Sequence, residues 1–243
     1  MYSHELADVY EIVYRSRGKD WAAEARDVTG LIRARMPHAR SLLDVACGTG
    51  AHLDTFAALF DRVEGLEIAE AMRERANERL PDVRIHAGDM RRFALGRRYD
   101  AITCMFVAIS YVDSMAGMRS AVRCMADHLV PGGVLVIEPW WFPEDFIDGY
   151  VAGDLAREGD RTVARISHSS LRAGATHMQT RFVVGSPDGI RQFEETDVMM
   201  LFTRTEYQDA FTDAGCSVEF IDGAPARRGT FVGVRSGNVT SGR

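Results

Sequence analysis

The residues best suited to chemistry are Asp44-Val45-Ala46-Cys47-Gly48-Thr49-Gly50. They follow the apolar pair Leu42-Leu43 and precede Leu53, Phe56, Ala57 and Phe60, which are apolar at i, i+3, i+4 and i+7. That order predicts a buried strand, a glycine turn and a helix. Such a turn gathers bare backbone amides at one point, and glycine lets a ligand approach them closely. Glu67 ends the next strand-like run, 17 residues beyond Gly50. An acid at that strand tip accepts both ribose hydroxyls of a nucleoside. The turn is not a phosphate loop, because the Gly-Lys-Ser/Thr ending is missing. It is not a dinucleotide fingerprint either, since the third glycine would fall on Leu53.

The surrounding elements must place these groups together. Strand-like runs at 62–66, 83–87, 99–104 and 134–138 alternate with helical patterns, among them Met118, Ala121, Val122, Met125 and Leu129. Alternation of this kind predicts a doubly wound parallel sheet, whose ligands sit at the carboxyl ends of the strands. Pro131-Gly132-Gly133 reads as a stop. Before the first strand, Leu6, Val9, Tyr10, Val13 and Tyr14 form one helical stripe. Asp20 can cap a second helix with Trp21, Ala25, Val28 and Ile32 on its apolar face. These two helices are expected to form a lid over the ligand. From 161 to 202 the pattern alternates with period two, giving three or four inserted antiparallel strands. A helix resumes at Thr205, with Gln208 completing a capping box and Gly215 ending it. Two closing strands follow, at 217–221 and 229–234. The expected organisation is a helical lid and ligand-binding sheet at 1–140, an inserted β subdomain at 141–204, closing elements at 205–235 and a frayed tail at 236–243. The fold class is α/β, Rossmann-like, with an inserted antiparallel sheet.

Composition narrows the field. The chain has 243 residues, 46% of them apolar and 26% charged, which argues against disorder. No apolar run approaches the roughly 20 residues that span a bilayer, and the N-terminus reads as carrying no export signal. A net charge of −6 disfavours nonspecific nucleic-acid binding. Cys47, Cys104, Cys124 and Cys216 are widely spaced and lack metal-ligand spacing, so no metal is expected and the reading is a cytoplasmic protein.

Asp44 to Gly50 together with Glu67 resembles the first motifs of class I S-adenosylmethionine (SAM) dependent methyltransferases. A narrower resemblance covers nearly the whole chain. Glu138-Pro139-Trp140-Trp141-Phe142-Pro143-Glu144, Tyr14-Arg15-Ser16-Arg17-Gly18-Lys19-Asp20, Arg165-Ile166-Ser167-His168-Ser169 and Arg228-Gly229-Thr230-Phe231 are similar to the bacterial N,N-dimethyltransferases of nucleotide-linked deoxyamino sugars. Tyr111 stands where some members carry histidine, and Ser110 where glycine is usual. The resemblance implies SAM as cofactor and the amino group of a dTDP-linked 3-amino-deoxysugar as acceptor. It places Ala46, Gly48, Gly50, Glu67 and Met105 around SAM, Asp89 and Met90 on its adenine, and Tyr14 and Arg17 over its methionyl end. Trp140, Ser167, His168, Ser169 and Arg228 then meet the sugar nucleotide, and Tyr14 and Tyr111 orient the amine or assist proton loss.

Plainer roles stay open from residue type alone. Tyr14 and Trp140 also suit core packing, Asp89 a turn, Arg17, Arg165 and Arg181 solvent, and Ser167 to Ser169 an edge strand. A methyltransferase with another acceptor, a noncatalytic SAM-binding module and an NAD-dependent oxidoreductase are the competing functions. The inserted strands also offer edges for a homodimer.

Overall fold

The computed structural model describes residues 3–223 and 228–237. The tail expected at 236–243 lies largely outside these residues. Two sheets organise the chain. A seven-stranded sheet runs in the order β10-β11-β5-β4-β1-β2-β3, and a four-stranded sheet is the meander β6-β7-β8-β9.

In the large sheet, β1 (Ser41–Val45), β2 (Arg62–Glu67), β3 (Arg84–Ala87), β4 (Tyr99–Cys104) and β5 (Leu129–Ile137) pair in parallel. β11 (Thr230–Arg235) lies antiparallel to both β5 and β10 (Cys216–Ile221). Strand order reverses between β1 and β4, so a crevice opens at their carboxyl ends. The first turn and the β4 exit both face that crevice. Pro131-Gly132-Gly133 does not end an element: it kinks β5 from within, where the register against β4 shifts between Tyr99 and Ala101.

α3 (Ala51–Leu59) turns Leu53 and Phe56 into the core, with Phe60 just beyond it, while Ala57 faces solvent and His52 takes the buried place. α4 (Glu70–Arg79) and α5 (Met115–Asp127) complete the crossovers. α6 is Arg204–Asp213, and its capping box is Thr203 with Glu206, two residues earlier than the sequence suggested. Both Thr203 and Thr205 have an acid or amide three residues on, and the chain uses the first pair. Gly215 follows with φ +77°, as a helix terminator should.

The two N-terminal helices, α1 (His4–Ser16) and α2 (Trp21–Arg35), pack their apolar faces against different surfaces. α2 buries Ala25, Val28 and Ile32 against Leu42, Phe56 and Val134, as an ordinary layer of the sheet sandwich. α1 packs between the two sheets. Its Leu6, Val9, Ile12 and Val13 pack on Ala156, Val163, Phe182 and Val184, and its Ala7 meets Ala69 and Met72. An apolar stripe requires cover without specifying which surface provides it.

The small sheet consists of β6 (Tyr150–Glu158), β7 (Arg161–Arg172), β8 (Ala175–Ser186) and β9 (Gly189–Met200). Its register sorts residues onto two faces. The inner face aligns Asp154, Arg165, Phe182 and Phe193 in one row, Ala152, Ser167, Thr180 and Glu195 in the next, then Tyr150, Ser169, Met178 and Asp197. One end of that face is apolar and covered by α1. The other end is polar and opens towards the crevice.

Candidate active site

The β1 turn is built as the sequence suggested. Ala46, Gly48 and Gly50 all have left-handed backbones, with φ of 57°, 57° and 77°. A Cβ on Gly48 would meet no atom within 4 Å, which leaves its backbone approachable. Gly50 is different, since a Cβ there would sit 3.3 Å from Leu80 and 3.4 Å from Ala76 of α4, a tight fit added to its left-handed backbone. The Gly48 N–H donates to Glu67 Oε2 over 2.9 Å, and the Ala69 N–H donates to Oε1 over 2.8 Å. Burial pushes the Glu67 carboxyl up, and these two amides work against that.

Beneath the turn, Asp44 accepts from Thr103 Oγ1 at 2.7 Å, while its Oδ2 is buried without a partner. Burial raises its pKa to about 6. At the β3 exit, the Arg91 guanidinium 2.7 Å from Asp89 holds that carboxyl below its ordinary range. Met90 packs beside the core, and Met105 is buried at the β4 exit. Phe106 and Val107, immediately after it, are non-glycine residues with φ of 51° and 62°. Strain of this kind collects where a backbone is held for function. Here the Glu138 carboxylate secures it, accepting from the Phe106 N–H at 2.8 Å.

Next to this edge lies a cavity of about 520 Å³. Its walls are the end of α1, the β4 and β5 exits and the polar half of the inner face. Tyr14, Arg17, Tyr111, Trp140, Ser167, Ser169 and Arg228 all line it. Ala46, Gly48, Gly50, Glu67, Asp89, Met90 and Met105 do not; they lie along the strand ends beyond Phe106. The volume suits a drug-sized molecule.

His168 is a correction. It is exposed on the outer face of β7, between Ser167 and Ser169, whose side chains are buried on the inner face. A strand presents alternate residues to opposite sides, so three consecutive residues cannot all reach one ligand. Arg165 is a second correction. It is buried rather than solvated, with Nη1 3.2 Å from Asp154. Arg181 is exposed and pairs with Glu194, as the solvated reading has it.

The electrostatics are cationic groups balanced by carboxylates. Asp154 lies 3.4 Å from Arg17 as well as bonding Arg165. Arg228 pairs with Glu138 at 3.2 Å and lies over Trp140 and Trp141, 5.0 and 5.5 Å from the ring centres. Its Nε is buried without a partner. Trp140 Nε1 donates to Thr176 Oγ1 at 3.1 Å, which fixes the ring plane. Tyr14 meets the edge of Phe106 at 4.8 Å, and burial pushes its phenol pKa up, so it stays a hydrogen-bond donor. Tyr111 donates to Asp197 Oδ1 at 3.0 Å. Asp154 and Asp197 escaped the sequence reading. The signal for them was an acid at an inward position of an alternating strand.

Comparison with known proteins identifies the family. The methyltransferase domain family matches residues 42–133, the β1 turn through the start of β5. The dTDP-4-amino-2,3,4,6-tetradeoxy-D-glucose N,N-dimethyltransferase of Saccharopolyspora spinosa is 50% identical over 97% of this chain and 95% of its own length. The dTDP-3-amino-3,4,6-trideoxy-alpha-D-glucopyranose N,N-dimethyltransferase of Streptomyces venezuelae is also 50% identical, over 96% of this chain and 99% of its own. Among solved structures, SAM-bound CalS10 is an amino pentose methyltransferase from Micromonospora echinaspora involved in calicheamicin biosynthesis. It has a TM-score of 0.87 at 55% identity, covering 94% of this chain and 97% of that one. This chain therefore belongs to the SAM-dependent N,N-dimethyltransferases of dTDP-linked amino sugars, built on the class I methyltransferase fold.

Proposed function

We propose that this protein transfers methyl groups from SAM to the amino group of a dTDP-linked amino-deoxysugar, twice in succession, in antibiotic sugar biosynthesis. The observation that carries the reading is half identity to two such N,N-dimethyltransferases across almost the entire chain. One of those relatives acts on a 4-amino sugar and the other on a 3-amino sugar, so the 3-amino acceptor drawn from resemblance is one of two positions to test.

The residues present fit SAM. The uncrowded backbone at Gly48, the Glu67 carboxylate beside it and the unpartnered Asp44 Oδ2 supply a close approach, an acceptor and a buried charge at one strand edge. In this reading Ala46, Gly48 and Gly50 form the cradle and Glu67 takes the ribose hydroxyls. Asp89 and Met90 hold the adenine, Met105 flanks it, and Tyr14 with Arg17 meets the methionyl end. When bound, SAM supplies an already activated methyl group. The protein's own task is to align a neutral amine with it. Tyr14, Phe106 and Met178 give one part of the cavity an apolar wall, and an amine held against that part is disfavoured as an ammonium. Arg228, stacked on Trp140, and the inward Ser167 and Ser169 suit the charged, flat nucleotide half of the acceptor. His168 has no part in this site.

A second copy of this chain is proposed to cover the outer face of the small sheet. Val151, Leu155 and Ile166 stand 62–63% exposed there, with Val183 in register beside them. Exposed apolar side chains clustered on one face mark an interface. Sedimentation showing a monomer at working concentration contradicts it. Four unpaired cysteines suit a reducing, cytoplasmic location.

The functional test is incubation with SAM and a panel of dTDP-3-amino and dTDP-4-amino deoxysugars, followed by mass spectrometry. The expected result is a product heavier by one and then two methylene units. No gain on any sugar in the panel overturns the reading.

A further inference from the structure

Tyr111 stands on a 3₁₀ turn, Ala108–Tyr111, just after the strained Phe106-Val107 pair. It lines the large cavity, and its hydroxyl donates out of that cavity to Asp197 on β9. Asp197 occupies the inner face, opposite Met178 of β8, and also borders a separate space of about 10 Å³ shared with Tyr14, Arg165 and Glu195. A space that size takes a single water at most. The carboxylate is thus reached from the cavity through one hydroxyl.

We propose that Asp197 is the proton acceptor for the substrate amine, working through Tyr111. This inference rests on the amino-sugar reading. An amino sugar reaches the protein largely as an ammonium, which has no lone pair to offer. The amine N–H proton passes to Tyr111 Oη as the Tyr111 O–H proton passes to Asp197 Oδ1. The products are a neutral amine, a neutral tyrosine and a carboxylic acid. Methyl transfer then makes a new ammonium, and Asp197 returns its proton to solvent before the next cycle. One proton is released per methyl group, as the overall reaction requires.

The surroundings of Asp197 suit the role. Tyr14 faces it from α1, Arg165 from β7, Tyr111 from the 3₁₀ turn and Glu195 from its own strand, while β8 contributes the uncharged Met178 and Thr180. Burial, reinforced by Glu195, pushes the Asp197 carboxyl up, with Tyr111 and Arg165 opposing. A carboxylate raised in this way is a better base than a solvated one. Because Asp197 acts through Tyr111, it is a positioning residue, and its test must read more than rate.

The experiment compares kcat/KM against pH for the wild type, Asp197→Asn and Tyr111→Phe, with SAM affinity measured by calorimetry. Both variants should lose about 10²-fold at pH 6.5. The deficit should shrink steadily towards pH 9, where the amine is increasingly neutral in solution. The double variant should lose no more than either single one. A deficit equal at every pH, or none, overturns the relay and leaves the amino-sugar reading intact. Failure of the wild type itself to methylate any amino sugar defeats the reading instead. If Asp197→Asn does not fold, Tyr111→Phe, which removes one hydroxyl from a side chain 38% exposed, decides the matter alone.

Discussion

The Gly48 backbone N–H donates to the Glu67 carboxylate across 2.9 Å, tying the first turn of the sheet to the tip of its second strand. Two elements that are separate in sequence thereby form one wall. The same carboxylate has its other oxygen on the Ala69 N–H, so its orientation is set before any ligand arrives.

Glu67→Ala therefore removes both an acceptor and the group that fixes the turn. SAM affinity should fall tenfold to a hundredfold, on the order of 1.5–3 kcal/mol for hydrogen bonds to a charged group. Calorimetric titration checks this. An unchanged affinity would place the ribose elsewhere.

Asp44 makes stability depend on pH. Its pKa rises from the ordinary value of about 3.9 to about 6 on folding, through burial. The folded state thus holds this proton more tightly than the unfolded chain. The stability that the proton confers is present below about pH 3.9 and is lost as pH rises through about 6. Above that, the ionised Asp44 costs about 3 kcal/mol. Asp44→Asn should raise the melting temperature of the SAM-free protein at pH 8 and have much less effect at pH 4. A lower melting temperature at pH 8 contradicts the account.

Arg228→Lys keeps a charge and loses the planar fork stacked on Trp140 and Trp141. KM for the sugar nucleotide should rise about tenfold while SAM affinity stays within about twofold. An equal loss for both ligands would move Arg228 out of the acceptor site. Initial-rate kinetics with each substrate varied in turn separate the outcomes.

Ile166→Asp places a charge at the centre of the outer sheet face, where Ile166 is 63% exposed. If a second copy covers that face, the variant sediments as a monomer with its far-ultraviolet spectrum retained. An unchanged sedimentation coefficient excludes this face as the interface.

The β1 turn and Glu67 were legible because their chemistry is local. Glycine tolerates the left-handed backbone that a tight turn after a strand asks for, as Gly48 and Gly50 show, and an acid at a strand tip faces the same edge. The inserted sheet was legible as strands yet not as faces. Whether Arg165 lies buried beside Asp154 or in solvent depends on which side of four paired strands α1 covers. That is a property of the ladder as a whole, and β6 carries too little alternation to announce itself. His168 went astray for a related reason: a motif of consecutive residues says nothing of the pleat, which sends Ser167 and Ser169 one way and His168 the other. Asp197 carries no motif at all. It becomes visible once Tyr111, 86 residues earlier, is seen to point at it.

The central claim is best tested by following the methyl group itself. Incubation with SAM carrying a ¹³C-labelled methyl and a dTDP-amino-deoxysugar, read by carbon–proton correlation spectroscopy, reports the atom that receives it. The account predicts label in an N-methyl group coupled to the ring carbon that bears nitrogen, then in a dimethylamino group. Label on a hydroxyl oxygen, or label left wholly on SAM for every amino sugar offered, contradicts it.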